Sequence, residues 1–132
     1  MNESNPALIA SRKSWDCVQN HRKDDWLALM ADDVVIEDPI GKSMLDKVGL
    51  GHRGKEAVGR FWDQNIAPNE IEVTCHRSWT AGSEVAHLLT LKTTMPAGVT
   101  VSVESIFTYA VNAEGLIANL RGYWEMSDIR AH

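Results

Sequence analysis

The sequence predicts an α+β fold in which three helices pack on one face of a curved, mostly antiparallel sheet. Apolar residues recur at helical spacing in the first half of the 132-residue chain, whereas the second half alternates apolar and polar residues through four long segments. One short extended segment lies between the second and third helices. Because the long strands follow the helices in a run, the helices are expected to gather on one face of a single sheet. With no linker-like or repeated stretch, the chain is expected to form one domain, residues 1–132.

The first helix is predicted over residues 6–20, and the second from Asp24 to about Ala31. Asn5 is a good capping residue, and Pro6 is preset for the first helical position. Asp24 can cap the second helix after a polar link. The apolar residues at helical spacing are Leu8, Trp15 and Val18 in the first helix and Trp26, Leu29 and Met30 in the second.

A short strand follows, in which Val34, Ile36 and Asp38 point to one side until Pro39 ends it. This pattern places the Asp38 carboxyl group in line with an apolar face. Residues 40–53 contain three glycines and little apolar periodicity, and are therefore predicted to form a long loop. Loops of this length are often functional, and a lid over a pocket is one such function.

The third helix is predicted around Ala57, Val58 and Phe61, and it ends before Pro68. The rest of the chain is predicted to form strands, because apolar and polar residues alternate between turns that contain Gly, Pro or Asn. The four predicted strands are 71–79, 85–94, 99–111 and 116–125.

Composition and charge exclude several classes of function. The net charge is −5, and acids and bases are interspersed, so no basic surface for nucleic acid is expected. No stretch is long and apolar enough to span a membrane, and the N-terminal residues contain no apolar leader. Cys17 and Cys75 are too few for a disulfide framework. The protein is therefore expected to be cytoplasmic, without a membrane or nucleic-acid partner.

The unusual feature of the composition is its tryptophan content. Five of the nine aromatic residues are Trp, although Phe or Leu would fill a small core equally well. Because a buried indole N–H requires a hydrogen-bond acceptor, some of these side chains are expected to line a ligand cavity. Trp15 and Trp26 lie on helical core faces and are predicted to pack there, whereas Trp79, near a strand end, suits a core or an interface.

The order of elements and two segments, residues 24–33 (DDWLALMADD) and 36–41 (IEDPIG), resemble the nuclear transport factor 2-like superfamily, in particular its ketosteroid isomerase and SnoaL-like branch. The resemblance extends from residue 8 to residue 128. It implies a cone-shaped sheet, the cystatin-like roll, around an apolar pocket. It also implies a homodimer that takes a small hydrophobic ligand or substrate. Further matching segments are His52-Arg53-Gly54, Phe61-Trp62, Glu114-Gly115-Leu116-Ile117 and Tyr123-Trp124.

The resemblance further implies that Asp38 is the base that moves a proton between two carbons of an enone skeleton. Elementary chemistry supports this role, because a carboxylate beside apolar side chains is desolvated and has a raised proton affinity. A structural role is the alternative, since Asp before Pro commonly ends a strand.

The two oxyanion donors of the isomerases, a tyrosine and a protonated aspartate, are not kept. Alignment places Ser14 at the tyrosine position and Ser105 at the aspartate position. Serine hydroxyls can donate hydrogen bonds, but their protons are much less acidic than those of a phenol or a carboxylic acid. Ser14 and Ser105 are nevertheless the candidates that complete a catalytic set with Asp38.

Four further residues are candidate substrate-binding residues. Trp62 falls where the isomerases have a supporting tyrosine, and Trp124 matches an aromatic position in the pocket wall. Tyr109 shares a strand face with Ser105. His87 lies on the apolar face of its strand. A core role for Trp62 and a hydrogen-bonded core role for His87 are the alternatives.

Other catalytic chemistry has little support in the sequence. The histidines and cysteines have no metal-ligand spacing, and no phosphate loop, nucleophile elbow or CxxC motif occurs, so neither a metal nor a cofactor is expected. We therefore predict a cofactor-free, steroid isomerase-like enzyme that transfers a proton within a hydrophobic carbonyl compound. Two alternatives stay open: a non-catalytic binder of a small hydrophobic ligand, and a SnoaL-type cyclase or dehydratase that pairs Asp38 with His87.

Overall fold

The computed structural model describes residues 1–132 and has three helices packed against a curved, open, mixed sheet of seven strands. The predicted α+β class is thereby confirmed. The helices are α1 (Pro6–Gln19), α2 (Lys23–Ala28) and α3 (Gly54–Asn65). The strands are β1 (Met30–Glu37), β2 (His52–Arg53), β3 (Glu70–Ala81), β4 (Glu84–Thr94), β5 (Thr100–Val111), β6 (Ile117–Tyr123) and β7 (Arg130–Ala131), and a 3₁₀ turn at Met126–Asp128 precedes β7.

The strands lie in the order β2-β1-β6-β5-β4-β3, and β7 pairs with β5. All pairs are antiparallel except β1 with β6, which are parallel and make the sheet mixed. Ile36 lies opposite Leu120, and Phe107 lies opposite Gly122. This register brings Asp38, which follows the end of β1, beside the middle of β5.

Helix α1 is capped by the residue that the sequence indicates. The Asn5 side-chain oxygen accepts the backbone N–H of Ala7 at 2.9 Å and of Leu8 at 3.1 Å, and Pro6 occupies the first helical position. The helix packs on β3, β4 and β5. Its buried face includes Ser14, which the packing directs toward the sheet.

The second helix is shorter than predicted. It ends at Ala28, and β1 already begins at Met30, before the predicted start at Val34. Met30 pairs with Ile117 of β6, so strand pairing overrides the local helical pattern. The expected Asp24 cap does not form.

Strands β3 to β6 match the four predicted strands, with ends that differ by no more than two residues. The two-residue strands β2 and β7 had no signal in the sequence. Helices and sheet together bury one apolar cluster, in which Leu8, Trp26 and Phe107 are almost fully buried. None of the helices is both long and apolar enough to cross a membrane.

Candidate functional site

A cavity of about 330 Å³ lies between the helices and the sheet. Of its 27 lining residues, 21 are hydrophobic, which suits an apolar ligand. Asp38 is the one charged side chain in the wall. No group of three or more His, Cys, Asp or Glu side chains is placed to hold a metal ion. The polar lining residues are Ser14, Asp38, Asn65, Asn69, Thr93 and Ser102.

Asp38 follows the last residue of β1, and its half-buried side chain lines the cavity. Burial raises the pKa of this carboxyl group from 3.8 to about 6. The Trp124 indole N–H donates a hydrogen bond of 2.6 Å to Asp38 Oδ1, which lowers the pKa and opposes the effect of burial. Asp38 is therefore mostly ionised at pH 7, yet binds a proton much more readily than an exposed aspartate does.

The contact between Asp38 and Trp124 depends on Gly122 in β6. A Cβ atom at Gly122 would lie 2.5 Å from Asp38 Oδ1 and 2.9 Å from Trp124 Nε1. It would also lie 2.9 Å from Phe107 Cε2. Any other residue would push these side chains apart, because a close-packed interior has no spare room.

The Asp38–Trp124 pair is the first polar group of the cavity. A second polar group consists of two hydroxyls, each of which accepts a hydrogen bond from an indole N–H. Trp15 donates to the Tyr109 oxygen at 3.0 Å, and Trp26 donates to Ser14 Oγ at 3.0 Å. Burial, the largest effect, raises the pKa of Tyr109, and the nearby Asp38 charge raises it further. Trp15 and Ser14 lower it by hydrogen bonding. Tyr109 therefore stays a neutral phenol.

The two polar groups give the cavity two chemical capabilities. Ionised Asp38 can accept a proton from a ligand carbon. Tyr109 can donate a hydrogen bond to a ligand oxygen on which negative charge develops. Asp38 and Tyr109 line the same cavity, so one ligand can reach both side chains. This arrangement suits proton transfer next to a carbonyl group.

Comparison with known proteins decides the family. The SnoaL-like domain model matches residues 11–120, which is most of the chain. The chain belongs to the SnoaL-like family. No curated protein sequence matches it.

Solved structures similar to this SnoaL-like protein match it over nearly its whole length. RV0760c from Mycobacterium tuberculosis is 50% identical with a TM-score of 0.95, and the match covers 100% of both chains. RV0760c in complex with estradiol-17beta-hemisuccinate is 52% identical with a TM-score of 0.93, covering 96% of this chain and 99% of that one. A Delta 5-3-ketosteroid isomerase from Mycobacterium sp. is 46% identical with a TM-score of 0.94, covering 97% and 99%. The family resemblance predicted from the sequence is thus confirmed.

The structure brings four of the predicted site residues of this SnoaL-like protein to one cavity. Asp38, Trp124, Tyr109 and Ser14 all line it. Trp124 contacts Asp38 directly through its indole N–H. Ser14 lies beside Tyr109, in the second polar group.

Trp62 does not line the cavity. Successive helical residues point about 100° apart, so its neighbour Phe61 faces the cavity while Trp62 points elsewhere. The Trp62 ring packs on Trp26 with centroids 5.0 Å apart, and the residue is 3% exposed. It is therefore a core residue behind the wall, and its indole does not supply a donor to a ligand.

Ser105 is also absent from the wall. Its hydroxyl donates to the backbone carbonyl of Tyr123, which turns the short side chain along the sheet. The larger side chains of Phe107 and Tyr109 on the same strand reach the cavity instead. Ser105 is therefore not placed to contact a ligand in the cavity.

His87 is fully buried behind Trp15, with ring centroids 4.5 Å apart, and does not line the cavity. Ser11 Oγ lies 2.9 Å from Nε2, and Ser78 Oγ lies 2.6 Å from Nδ1, so both ring nitrogens have hydroxyl partners. Burial lowers the His87 pKa to about 4 and keeps the ring neutral. It is a hydrogen-bonded core histidine, and its pairing with Asp38 has no support in the geometry.

Sequence reasoning missed three residues that shape the site. Trp15 and Trp26 were assigned to packing alone, yet both line the cavity and orient its hydroxyl groups. A signal existed, because a buried indole N–H needs an acceptor, and the hydroxyls of Ser14 and Tyr109 could serve Trp26 and Trp15. Gly122 had no such signal, because its importance depends on side chains from distant segments.

Proposed function

We propose that the chain is a cofactor-free, ketosteroid isomerase-like enzyme that moves a proton within a hydrophobic, steroid-like carbonyl compound, with Asp38 as general base. The observation that carries this proposal is the Asp38 carboxyl group, which lies in an apolar wall with its pKa raised to about 6. A base with a pKa near the working pH combines a large ionised fraction with a high proton affinity.

In the proposed cycle, the Asp38 carboxylate takes a proton from the carbon α to the substrate carbonyl. The C–H electron pair moves into the conjugated system, and charge develops on the carbonyl oxygen, to which Tyr109 donates a hydrogen bond. The Asp38 carboxylic acid then returns the proton to the γ carbon. The double bond ends in conjugation with the carbonyl and Asp38 is ionised again, so the reaction balances without a co-reactant.

Tyr109 takes the donor role that the sequence suggested for Ser14 and Ser105. Its oxygen accepts the Trp15 N–H, and a hydroxyl that accepts a hydrogen bond becomes a better donor. Ser14 supports the phenol from the side, with its own oxygen engaged by Trp26. Ser105 takes no part.

Similar proteins support a steroid-like ligand. The relative that is 46% identical is a Delta 5-3-ketosteroid isomerase. The relative that is 52% identical was solved in complex with estradiol-17beta-hemisuccinate. A wall that is mostly hydrophobic matches the apolar surface of such ligands.

Steroid binding without turnover is the second candidate function. It is favoured by the steroid complex of the 52% identical relative and by the raised pKa of Tyr109, which makes the phenol a weaker acid than usual. Asp38 would then only accept a hydrogen bond from the bound ligand.

Turnover of a β,γ-unsaturated 3-ketosteroid, followed by the absorbance of the conjugated enone, tests the proposal. We expect Asp38→Asn to lower kcat by about 10²–10⁴-fold, the usual contribution of a general base. We expect Tyr109→Phe to lower kcat by about 10²–10³-fold, the usual contribution of one oxyanion donor. The matched controls Asp33→Asn and Tyr123→Phe change exposed residues outside the cavity and should leave the rate unchanged.

Equal rates for the wild type and Asp38→Asn would contradict the role of Asp38 as base. If neither protein turns over the steroid but both bind it in a calorimetric titration, binding without catalysis is the function supported.

A further inference from the structure

Three polar side chains line the cavity at the end away from the proposed base, and the proposed reaction does not use them. They are Asn65 at the end of α3, Asn69 just before β3 and Thr93 in β4. We call them the rim cluster. All three are half-buried. Ser102 also contributes to the wall, but its hydroxyl is bonded to His132 Nε2 at 2.7 Å, so it is not counted.

The sheet register fixes the separation between the rim cluster and the reacting end. Thr93 lies opposite Ile71 in β3 and opposite Val101 in β5. Phe107, which neighbours the Asp38 carboxyl group at Gly122, lies six residues beyond Val101 on β5. At a rise of about 3.3 Å per residue, the two ends are up to about 20 Å apart along the strand, and closer across the curved sheet. The cavity is therefore elongated, with a polar group at each end.

The rim cluster has unused hydrogen-bonding capacity. Asn65 Nδ2 donates to the Phe61 carbonyl at 3.2 Å, and Asn69 Nδ2 donates to the Asn65 carbonyl at 2.9 Å. These bonds hold both amides in place, and no group in the protein donates to either amide oxygen. The Thr93 hydroxyl makes no hydrogen bond within the protein. The rim thus offers two carbonyl acceptors and one hydroxyl in an otherwise apolar wall.

The charge of the wall limits what the rim cluster can bind. No Lys or Arg side chain lines the cavity. A carboxylate or phosphate at the rim cluster would therefore gain no cationic partner from the wall. A neutral hydroxyl group fits, since it can donate to an amide oxygen and accept from a threonine hydroxyl.

We propose that the rim cluster is a specificity site for a neutral hydroxyl group at the far end of an elongated, apolar, polycyclic substrate. The proposal rests on the proposed function in one respect only: it takes the Asp38 and Tyr109 end as the place of the reacting carbonyl. Asn69 and Thr93 form hydrogen bonds with the distal oxygen. Substrates with a hydroxyl group at that end therefore bind more tightly than substrates that end in hydrocarbon.

The test compares two steroids that differ only in the distal oxygen: estradiol and its 17-deoxy analogue. Both carry the same phenol for the Tyr109 end, and their Kd values are measured by isothermal titration calorimetry. For the wild type we expect estradiol to bind about 5- to 10-fold more tightly, the value of one neutral hydrogen bond. In Asn69→Leu and Thr93→Val the ratio should fall, and in the double variant it should approach 1.

The matched control is Thr94→Val, on the next residue of β4, which does not line the cavity. It should keep the wild-type ratio. Binding of the 17-deoxy analogue with unchanged Kd shows that each rim variant is folded. A ratio near 1 in the wild type, or an unchanged ratio in the double variant, would overturn the proposal.

Turnover of the ketosteroid, measured on the same wild-type protein as this ratio, separates this proposal from the proposed function. A ratio near 1 in a protein that turns over the ketosteroid contradicts the rim cluster alone. A wild-type protein that lacks turnover but keeps the ratio contradicts the isomerase function and supports the rim cluster.

Discussion

Asp38 places a carboxyl group in a wall formed mostly by apolar side chains, and this placement lowers stability whenever the group is ionised. Its pKa is about 6 in the folded chain against an ordinary 3.8, so the folded state binds the proton more tightly than the unfolded state does. That contribution to stability is complete below about pH 3.8 and is lost as the pH rises through about 6. At neutral pH the ionised Asp38 carboxylate is therefore expected to make the protein less stable than an uncharged side chain at the same position would.

We predict that Asp38→Asn raises the free energy of unfolding by about 2 kcal/mol at pH 8, because an uncharged amide replaces the desolvated carboxylate. At pH 4 the folded wild type is already protonated, so the gain should be much smaller. Urea denaturation at both pH values measures the difference. Asp33→Asn, at an exposed position, serves as the control and should change neither value. A variant that is less stable than the wild type at pH 8 would contradict this view of Asp38.

Single residues differed in how well the sequence revealed them. Asp38 and Trp124 were identified because a strand period and a family motif point to them. Trp62 was misplaced, because motif matching cannot tell which side of a helix faces a cavity. The pairing of Trp15 with Tyr109 joins α1 to β5, and local sequence holds no information on contacts between segments so far apart.

At the scale of elements, the segment between β1 and β2 forms a hydrogen-bonded loop beside the cavity. The Asp46 carboxylate accepts the backbone N–H of Gly49 at 2.9 Å and of Gly51 at 2.8 Å. Both glycines have positive φ values, which side-chain-bearing residues rarely adopt. The loop places Met44 and Leu45 in the cavity wall. Asp46 therefore organises a loop that contributes apolar side chains to the cavity wall.

We predict that Asp46→Ala weakens steroid binding by about 5- to 10-fold, roughly the value of one hydrogen bond. The reason is that each Asp46 carboxylate oxygen makes one of the hydrogen bonds that order the loop. The fold should persist, since the loop lies outside the apolar core. Calorimetric Kd values and the unfolding midpoint measure the two effects separately. Lys47→Ala alters the adjacent exposed residue, which forms no ion pair, and is expected to bind normally. Unchanged affinity in Asp46→Ala would show that the loop does not act on the ligand.

The long strands were predictable because alternation with a period of two survives wherever one sheet face is buried. The start of β1 was not, because Met30 belongs to a helical pattern locally and joins the sheet only by pairing with Ile117. The short strands β2 and β7 form for the same reason, through partners that are far away in the chain.

At the scale of the whole molecule, the outer face of the sheet carries large aromatic side chains exposed to solvent. Trp79 on β3 is 43% exposed and Tyr123 on β6 is 48% exposed. The Arg77 guanidinium lies 4.7 Å from the Trp79 ring, and the Arg121 guanidinium lies 5.6 Å from the Tyr123 ring. Aromatic residues and arginine are enriched in protein interfaces. We therefore predict that this face forms the interface of the homodimer that the family resemblance implies.

Sedimentation equilibrium tests this prediction. The expected mass is twice the 14.7 kDa of the chain. Trp79→Asp should shift the equilibrium toward the monomer, because an aspartate cannot be buried there without a partner. Val48→Asp makes the same type of change at an exposed loop residue and should leave the mass unaffected. A wild-type protein with the mass of one chain would contradict the prediction.

The architecture was more predictable than the site. The number of helices, the four long strands and the fold class follow from periodicity, which many residues determine together, so local errors such as the end of α2 do not alter the result. The cavity depends instead on where a few side chains point. Ser105 and His87 lie on the expected strand face, yet hydrogen bonds to Tyr123, Ser11 and Ser78 hold them away from the cavity.

The pH dependence of kcat/KM for a β,γ-unsaturated ketosteroid, in the wild type and in Trp124→Phe, tests the role of Asp38 most directly. In the wild type, activity should rise with pH through about 6, the pKa of the carboxyl group that must be ionised to act as base. Trp124→Phe removes the N–H that lowers this pKa, so the rise should move to higher pH. If kcat/KM rises at the same pH in both proteins, Asp38 is not the general base. The assignment is also contradicted if the kcat/KM of the wild type does not decrease when the pH is lowered below 6.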